Sequence, residues 1–377
     1  MPLLDRTCPT TPVVRDCQRT RGAAVYSGIP VRKTRSPKNL GRERLSRSPS
    51  RASVTVTVPA RLHLGFLDLN GGLGRRFGSI GLAISRLRTR ITISAASHLR
   101  VSGPETERAR GYLQTMQQVL DLKSGCDLRI NEVVPAHAGL GSGTQIALAV
   151  AAGVRELLGL PLDVRGDAIR LGRGARSGVG IGLFDHGGLV VDGGRGELAK
   201  PAPIVSRMPF PERWRILVLL DPNRQGVHGA DERDVFSKLP PFSEAGASHL
   251  CRLVLMKALP ALAECNIADF GSAIKEMQML LGDYFAAIQG GSRFSSPDVA
   301  AALGVLEDEG AFGIGQSSWG PTGFAFASSV EEANRLLESI RRQPRYRDLD
   351  IRAVSGLNRG AQIVSHVEAG EPERYQR

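Results

Sequence analysis

The most informative stretch of this sequence is rich in glycine and reads Pro135-Ala136-His137-Ala138-Gly139-Leu140-Gly141-Ser142-Gly143-Thr144-Gln145. Glycine has no Cβ, so this backbone can bring several N–H groups close to one anion. A helical pattern runs from Thr144 to Leu158 and stops at Gly159. Because a helix N-terminus carries unpaired N–H groups and the positive end of the helix dipole, the stretch predicts a phosphate or diphosphate site. The alternative is a turn that only allows the helix to pack closely.

Part of this stretch, Pro-x-x-x-Gly-Leu-Gly-Ser, resembles the central motif of the GHMP kinase superfamily, which includes galactokinase, homoserine kinase and mevalonate kinase. Two further segments carry the resemblance, Pro59-Ala60-Arg61-Leu62-His63-Leu64-Gly65 and the glycine-rich residues 313–323. The motifs together cover about residues 53–366. The resemblance implies an α+β, two-domain GHMP-kinase-like fold. Its N-terminal α/β domain would carry the glycine-rich phosphate loop, and a C-terminal ferredoxin-like domain would follow.

Strand and helix patterns along the chain agree with such a fold. Strand patterns lie at 53–59, 80–85, 89–95, 127–133, 189–191, 215–220, 312–316, 324–327, 350–354 and 361–367. Helical patterns lie at 105–122, 144–158, 165–176, 246–264, 266–289, 297–309 and 330–342. Residues 193–211 hold many Gly and Pro, which is typical of a domain boundary. We therefore predict a disordered basic tail at 1–50, an N-terminal domain at 51–205, a C-terminal domain at 206–367 and a tail at 368–377.

The charge of the chain is concentrated at its N-terminus. The formal net charge is +12, of which residues 1–50 contribute +8, so the remaining chain is only weakly basic. The tail has no recognisable DNA-reading helix, and we expect no nucleic-acid partner. Its Arg/Ser-rich composition resembles an organellar transit segment, but we favour an over-extended gene start or a solvated tail, because the pattern of a domain begins at Ala52. No apolar run reaches the ~20 residues of a membrane span, so no membrane partner is expected.

The cysteines and histidines give no sign of a disulfide framework or a metal site. The five cysteines form no Cys-x-x-Cys pair, and the seven histidines show no ligand spacing. We therefore predict a reduced cytoplasmic protein with no metal site built by the protein alone. Two of the histidines lie beside the motifs, His63 and His137, and are expected to be core or loop residues.

One position departs from the kinase pattern. Many GHMP kinases carry Ser-Gly-x-Asp, with the Asp as catalytic base, whereas this chain has Ser177-Gly178-Val179-Gly180. Glycine cannot accept a proton.

Five segments, at 61–71, 139–145, 176–181, 186–188 and 316–321, instead resemble the β-ribofuranosylaminobenzene 5'-phosphate synthases of the same superfamily. That resemblance implies a transferase that joins 5-phosphoribosyl 1-diphosphate to 4-aminobenzoate and releases diphosphate and CO2. It also implies a role in tetrahydromethanopterin biosynthesis, as in methanogens and methylotrophic bacteria.

The donor of that reaction carries a 5-phosphate and a diphosphate, so two anion sites are required. The glycine stretch is predicted to supply one, through Gly139, Gly141, Ser142, Gly143 and Thr144. Guanidinium groups bind phosphate and carboxylate with two parallel hydrogen bonds. The second anion site and the acceptor carboxylate are therefore assigned to arginines, namely Arg75, Arg76, Arg173 and Arg176.

Asp68 and Arg75 are the predicted catalytic residues. A carboxylate near the sugar would stabilise an oxocarbenium-like centre or hold Mg²⁺ on the diphosphate, and Asp185 is the second candidate for this role. The alternative for Asp68 and Arg75 is a loop ion pair worth under ~1 kcal/mol. Trp319 is predicted to stack on the acceptor ring, or else only to pack in the domain interface.

Two other functions compete with the transferase. Retention of the three glycine motifs favours an ATP-dependent GHMP small-molecule kinase, and Gly180 argues against it. A ligand-sensing regulator that uses the basic tail for nucleic acid is the non-enzyme alternative. For the transferase we expect Mg²⁺ bound with the diphosphate, no ATP, small-molecule substrates as partners, and a possible homodimer.

Overall fold

The computed structural model describes residues 52–197, 201–226 and 239–366. The strands are β1 (Ser53–Asp68), β2 (Phe77–Ala96), β3 (Arg100–Ser102), β4 (Gly125–Glu132), β5 (Leu189–Asp192), β6 (Ile204–Met208), β7 (Arg215–Leu220), β8 (Phe312–Gln316), β9 (Gly323–Ala327), β10 (Asp350–Val354) and β11 (Gln362–His366). The helices are α1 (Thr106–Val119), α2 (Ser142–Leu157), α3 (Val164–Arg170), α4 (Val179–His186), α5 (Glu244–Leu253), α6 (Leu259–Ala263), α7 (Ile267–Ala286), α8 (Pro297–Asp308) and α9 (Val330–Arg341). In the ranges just given, none of the helices combines the length and apolar character that a membrane span requires.

The first sheet has the strand order β11-β1-β2-β4-β3, with β5 paired to β2 and β6 paired to β5. Neighbouring strands are antiparallel except for the parallel pair of β3 and β4. The edge strand β11 comes from the end of the described chain and pairs with the start of β1, where Ser53 faces His366. The sheet thus joins the two ends of the described chain.

The long hairpin of β1 and β2 contributes to two separate cores. Alternate residues of the first half of β1, beginning at Val54, pack with α1 and α2, while those from Ala60 to Phe66 pack with α7 and the second sheet. The change coincides with a bulge, because the strand register jumps between Pro59 and Ala60 and leaves out residues 85–87 of β2. Arg86 in this bulge has the left-handed backbone conformation, with φ 65°. Since side chains alternate along a strand, Arg61 and His63 point to the other side of β1 from the core residues Leu62 and Leu64.

The second sheet has the order β10-β7-β9-β8 and is antiparallel throughout. In chain order its strands are therefore arranged 4-1-3-2, with helices after the first and third strands, which is the ferredoxin-like arrangement. Strand β7 is apolar at every position from Ile216 to Leu220 because both of its faces are covered. The predicted α+β fold with a ferredoxin-like C-terminal part is confirmed.

One local prediction is wrong. The helix expected over residues 165–176 ends at Arg170, because Gly172 and Gly174 adopt left-handed φ values of 66° and 81° that an α-helix cannot contain. The segment 193–211, predicted to be a domain boundary, contains β6, which pairs with β5 in the first sheet, and the division into domains stays a prediction. The predicted tails at 1–50 and 368–377 lie outside the described residues.

Candidate active site

The glycine stretch forms a tight loop that leads directly into α2. Gly139 and Gly141 have φ values of 82° and 81°, and Gly141 is the N-cap of this 16-residue helix. The N–H groups of Thr144 and Gln145 donate to the Gly141 carbonyl at 3.1 and 3.2 Å. The amides of Ser142 and Gly143 precede these first helical bonds and lie at the positive end of the helix dipole. The loop therefore has the geometry of a backbone anion site.

Other segments of the chain approach the backbone of this loop closely. A Cβ on Gly139 would overlap the carbonyl oxygen of Ser317, in the turn between β8 and β9. A Cβ on Gly141 would lie 2.8 Å from Cγ of Arg61, and one on Gly143 would lie 3.3 Å from a terminal nitrogen of Arg173. The loop is thus held between β1, the segment after α3 and the β8–β9 turn.

Two arginines flank the loop. Arg61 comes from β1, where its N–H donates to the Leu140 carbonyl at 3.2 Å. Arg173 comes from the segment after α3, and one of its terminal nitrogens lies 3.4 Å from the Tyr112 hydroxyl. The Nε of Arg173 is buried and has no hydrogen-bond partner among the described residues. Two guanidinium groups beside a helix N-terminus favour an anion with more than one phosphate.

Gly180 lies directly over the start of α2. A Cβ at this position would come within 3.0 Å of Cγ2 of Thr144. The turn before it is fixed by Asp192, whose buried carboxylate accepts hydrogen bonds from the N–H groups of Gly178 and Gly194 at 2.8 and 2.9 Å. Burial raises the pKa of Asp192, and these hydrogen bonds oppose the rise. The position that resembles the kinase base therefore holds no carboxylate and has little room for one.

A small pocket lies beside the loop. Its walls come from β1, α7, residues 289–293 and the β8–β9 turn, and include His63, Phe66, Phe285 and Trp319. The pocket and the loop share a hydrogen-bonded link, because Ser317 Oγ accepts from the His63 N–H at 3.0 Å and donates to the Gly139 carbonyl at 2.8 Å. Burial lowers the pKa of His63 well below its ordinary value of 6.5, and the charge of Arg61 lowers it further. The His63 side chain is therefore neutral.

The structure brings several of the predicted site residues together. Gly139, Gly141, Ser142, Gly143 and Thr144 form the loop. Arg176 follows Arg173 by three positions in the chain, and its role in substrate binding stays a prediction. Trp319 is 5% exposed, and its ring centroid is 4.4 Å from that of Phe285. Trp319 therefore packs in the interior and also lines the pocket. Stacking on a substrate ring stays a prediction.

Asp68, Arg75 and Arg76 form a second group, at the far end of the β1–β2 hairpin. An Asp68 oxygen accepts from the Gly71 N–H at 2.8 Å. Arg75 donates to the carbonyls of Gly193 and Gly194 at 2.7 and 2.8 Å, and Arg76 donates to the Leu69 carbonyl at 3.2 Å. Asp68 is seven positions after Arg61, which is roughly 20 Å along β1. None of these contacts reaches the glycine loop, and a catalytic role for Asp68 and Arg75 stays a prediction.

Asp185 lies near the C-terminal end of α4, at the other end of that helix from Gly180. Burial raises the pKa of its carboxyl group, and the charges of His186 and Arg165 oppose the rise. Within residues 52–197, 201–226 and 239–366, no group of three or more His, Cys, Asp or Glu could hold a metal ion.

Arg61 and His63 are site residues that sequence reasoning did not select. The usable signal was the alternation of β1, where the even-numbered neighbours Leu62 and Leu64 are apolar core residues. This pattern places Arg61 and His63 together on the opposite face, next to a Pro-x-Arg motif.

Comparisons with known proteins agree with the fold and the loop. The family model of the GHMP kinases N terminal domain matches residues 107–189, and that of the GHMP kinases C terminal domain matches residues 258–345. The chain is 34% identical to the β-ribofuranosylphenol 5'-phosphate synthase of Archaeoglobus fulgidus, over 82% of this chain and 99% of the relative. It is 32% identical to the Methanocaldococcus jannaschii protein of the same name, over 76% of this chain and 94% of the relative.

Solved structures with low sequence identity share the fold. L. major mevalonate kinase in complex with R-mevalonate is 16% identical, with a TM-score of 0.63 over 82% of this chain and 98% of the kinase. Homoserine kinase from Cytophaga hutchinsonii is also 16% identical, with a TM-score of 0.59 over 85% of this chain and 100% of the kinase.

Proposed function

The chain belongs to the β-ribofuranosylphenol 5'-phosphate synthase family of the GHMP kinase superfamily, and on that premise we propose that it is a decarboxylating C-ribosyltransferase. The proposed reaction joins 5-phosphoribosyl 1-diphosphate to 4-aminobenzoate. Its products are β-ribofuranosylaminobenzene 5'-phosphate, CO2 and diphosphate. A place in tetrahydromethanopterin biosynthesis belongs to the same proposal.

The proposal rests on one observation: the loop has the geometry of an anion site, and no carboxylate stands where a kinase would have its catalytic base. Arg61 and Arg173 flank the loop, and Gly180 packs against Thr144 where a kinase carboxylate would stand. Phosphoryl transfer to an alcohol uses a residue that orients or deprotonates the hydroxyl. Loss of diphosphate from a sugar needs only that the leaving group and the developing charge be stabilised. The arrangement therefore suits diphosphate departure better than phosphorylation.

The chemistry needs no strong base from the protein. The ring carbon that bears the carboxylate is para to the amino group and is therefore electron-rich. Its electron pair forms the bond to sugar C1, while the bond from C1 to the diphosphate oxygen breaks and its pair leaves with diphosphate. The bond from the ring to the carboxylate then breaks, its pair restores aromaticity, and CO2 is released. The task of the protein is to orient the two substrates and bind the leaving group.

Mg²⁺ is proposed to arrive with the diphosphate. This ion keeps several waters and is usually bound by one or two carboxylates together with substrate phosphates, and it would neutralise the leaving group. Chelation with EDTA should stop turnover, and added Mg²⁺ should restore it.

The acceptor has one close competitor. The archaeal relatives are named for a phenol product, which corresponds to a hydroxyl group in place of the amino group. A hydroxyl group also donates electron density to the para carbon, so the same chemistry applies to 4-hydroxybenzoate. The two acceptors must therefore be compared directly.

The test is an assay with acceptors labelled at the carboxyl carbon. Purified protein with 5-phosphoribosyl 1-diphosphate and Mg²⁺, but no ATP, should release labelled CO2 and diphosphate in equal amounts from 4-aminobenzoate. A higher kcat/KM with 4-hydroxybenzoate would reassign the acceptor and keep the reaction. No CO2 from either acceptor, together with ATP-dependent phosphorylation of a small alcohol, would replace the transferase with the kinase.

A further inference from the structure

The pocket beside the glycine loop has the composition of a site for an aromatic ring. The Phe66 ring lies 4.7 Å from the His63 ring, and the Phe285 ring lies 4.4 Å from that of Trp319, measured between centroids. All four side chains line the pocket. Gly65 lies beside them, and a Cβ there would come within 2.6 Å of the Met277 sulfur, so α7 closes this wall. Aromatic rings pack well between such surfaces.

Most polar side chains of the pocket are already engaged in structural contacts. The Gln278 amide donates to the Leu64 carbonyl at 2.6 Å and accepts from the Gln316 N–H at 2.8 Å. The Gln316 side chain bonds Ser295 at 2.7 Å and Gln289 at 2.9 Å. Arg293, at the exposed side, forms two hydrogen bonds to one carboxylate, that of Asp283.

His63 is different from these residues. Its side chain is 2% exposed, and its Nε2 is buried with no hydrogen-bond partner among the described residues. A buried polar atom left in this state costs free energy of about 1–3 kcal/mol. The residue lines the pocket, and the pocket wall must shift for a ligand to reach this buried nitrogen and supply the missing partner. Burial keeps the imidazole neutral by lowering its pKa, so one ring nitrogen is available as an acceptor.

The position of His63 matches the geometry of the reaction. Arg61 and His63 lie on the same face of β1, two residues and thus roughly 7 Å apart. Arg61 touches the loop at Gly141, where the leaving group is assigned. A para-substituted benzoate is of comparable length. Its carboxyl-bearing carbon can face the sugar near the loop while its para substituent points to His63.

We propose that His63 determines acceptor specificity by accepting a hydrogen bond at Nε2 from the amino or hydroxyl group para to the reacting carbon. The inference rests on the proposed function and adds the recognition of the acceptor to it. As the new C–C bond forms, positive charge spreads from the ring to the para nitrogen or oxygen. Its hydrogen becomes a stronger donor, so the bond to His63 strengthens in the transition state.

The test is a binding cycle by calorimetry with inorganic diphosphate and Mg²⁺ present. Benzoate, 4-aminobenzoate and 4-hydroxybenzoate are titrated into the full chain and into two variants. His63→Phe keeps an aromatic ring and removes the ring nitrogens, whereas His63→Gln returns a hydrogen-bond acceptor. The exposed His98→Gln is the matched control.

Wild type and control should bind a para-substituted acid at least about tenfold more tightly than benzoate, which is about 1.4 kcal/mol. In His63→Phe the preference should shrink to within twofold, and His63→Gln should restore part of it, with diphosphate affinity unchanged.

The outcomes separate this inference from the proposed function. Equal affinity of wild type for the three acids, no detectable binding of any of them, or an unchanged preference in His63→Phe would overturn the role of His63. Measured CO2 release by the same wild-type preparation reports on the ribosyl transfer independently. If His63→Phe does not fold, His63→Gln alone decides, because it restores only part of the preference for a para-substituted acid over benzoate. A preference equal to that of wild type overturns the inference.

Discussion

At the scale of single residues, the glycine at position 180 is the feature that most clearly separates this site from that of a kinase with a carboxylate base. Its Cα faces Thr144 at the start of α2, and the nearby Asp192 carboxylate is used to hold Gly178 and Gly194. A carboxylate here would add a negative charge beside the loop for which anion binding is proposed. The absence of a side chain is therefore consistent with a loop that binds diphosphate as a leaving group.

Gly180→Asp should lower transferase kcat/KM at least about tenfold, or ~1.4 kcal/mol, without creating kinase activity. The new Cβ would approach Thr144 Cγ2 to 3.0 Å, and the carboxylate would repel the donor. Gly180→Ala separates the steric part from the charge and should be milder. Gly111→Asp adds an acid on α1 where no atom lies within 4 Å of the new Cβ, and should have no effect on kcat/KM. Full transferase activity in Gly180→Asp would show that the position is not part of the site.

The neutral His63 makes stability depend on pH. Its pKa is lowered in the folded state, so below the ordinary value of 6.5 the unfolded chain binds a proton that the folded chain does not. Its contribution to stability is present above pH 6.5 and is lost as pH falls, at up to about 1.4 kcal/mol per pH unit. Denaturant titrations between pH 7.5 and 5.5 should show a smaller loss of unfolding free energy for His63→Gln than for wild type. Parallel curves for the two proteins would mean that His63 titrates normally.

At the scale of elements, the junction between the glycine loop and α2 is the central feature of the candidate anion site. Gly141 ends the loop in a left-handed conformation and is the N-cap of α2. The unpaired backbone N–H groups and the positive end of the helix dipole therefore lie at the same position. A Cβ on Gly141 would lie 2.8 Å from Arg61 Cγ, so a larger residue would displace the Arg61 side chain from the loop.

Gly141→Val should therefore weaken donor binding at least about tenfold, which calorimetry with 5-phosphoribosyl 1-diphosphate can measure. Gly159→Val is the matched control. Gly159 also has a left-handed φ, 65° against 81° for Gly141, but nothing lies within 4 Å of a Cβ there. Both variants should lose about 1–3 kcal/mol of stability through backbone strain, and only Gly141→Val should lose donor affinity. Equal donor affinity in the two variants would make the loop purely structural.

Elements with a clear hydrophobic period were predictable from sequence, and those shaped by glycines or bulges were not. The apolar run of β7 and the periodic α2 match their predicted ranges closely. The patterns at 80–85 and 89–95 are one strand, β2, because the bulge at Arg86 interrupts the alternation without ending the pairing. Helix α3 is shorter than its pattern because two later glycines take positive φ.

At the scale of the whole molecule, the site is assembled from segments that are far apart in sequence. The hydrogen bond from the His63 N–H to Ser317 Oγ joins residues 254 positions apart. Arg173 approaches the loop from a third segment of the chain. The loop was predictable because its glycines and its helix are contiguous. The roles of its partners Arg61 and His63 were not predictable, because they depend on which face of β1 meets the loop.

Removal of the basic tail should leave a functional protein. Residues 1–50 have no periodic apolar face and can add little to a core, although they hold most of the net charge. A chain that begins near Ala52, where the pairing of β1 with β11 starts, should fold and keep kcat/KM within about twofold of the full chain. Aggregation or complete loss of turnover would show that the tail belongs to the folded unit.

The central claim is that this kinase-like fold makes a carbon–carbon bond, and one spectrum tests it. The donor is labelled with ¹³C at sugar C1, and 4-aminobenzoate is labelled with ¹³C at the ring carbon that bears the carboxylate. Incubation with the protein and Mg²⁺, without ATP, should give a product in which the two labels show one-bond ¹³C–¹³C coupling, with one CO2 released for each coupled pair. Labels that remain uncoupled, either in separate molecules or in a product joined through nitrogen with the carboxylate retained, would contradict the claim.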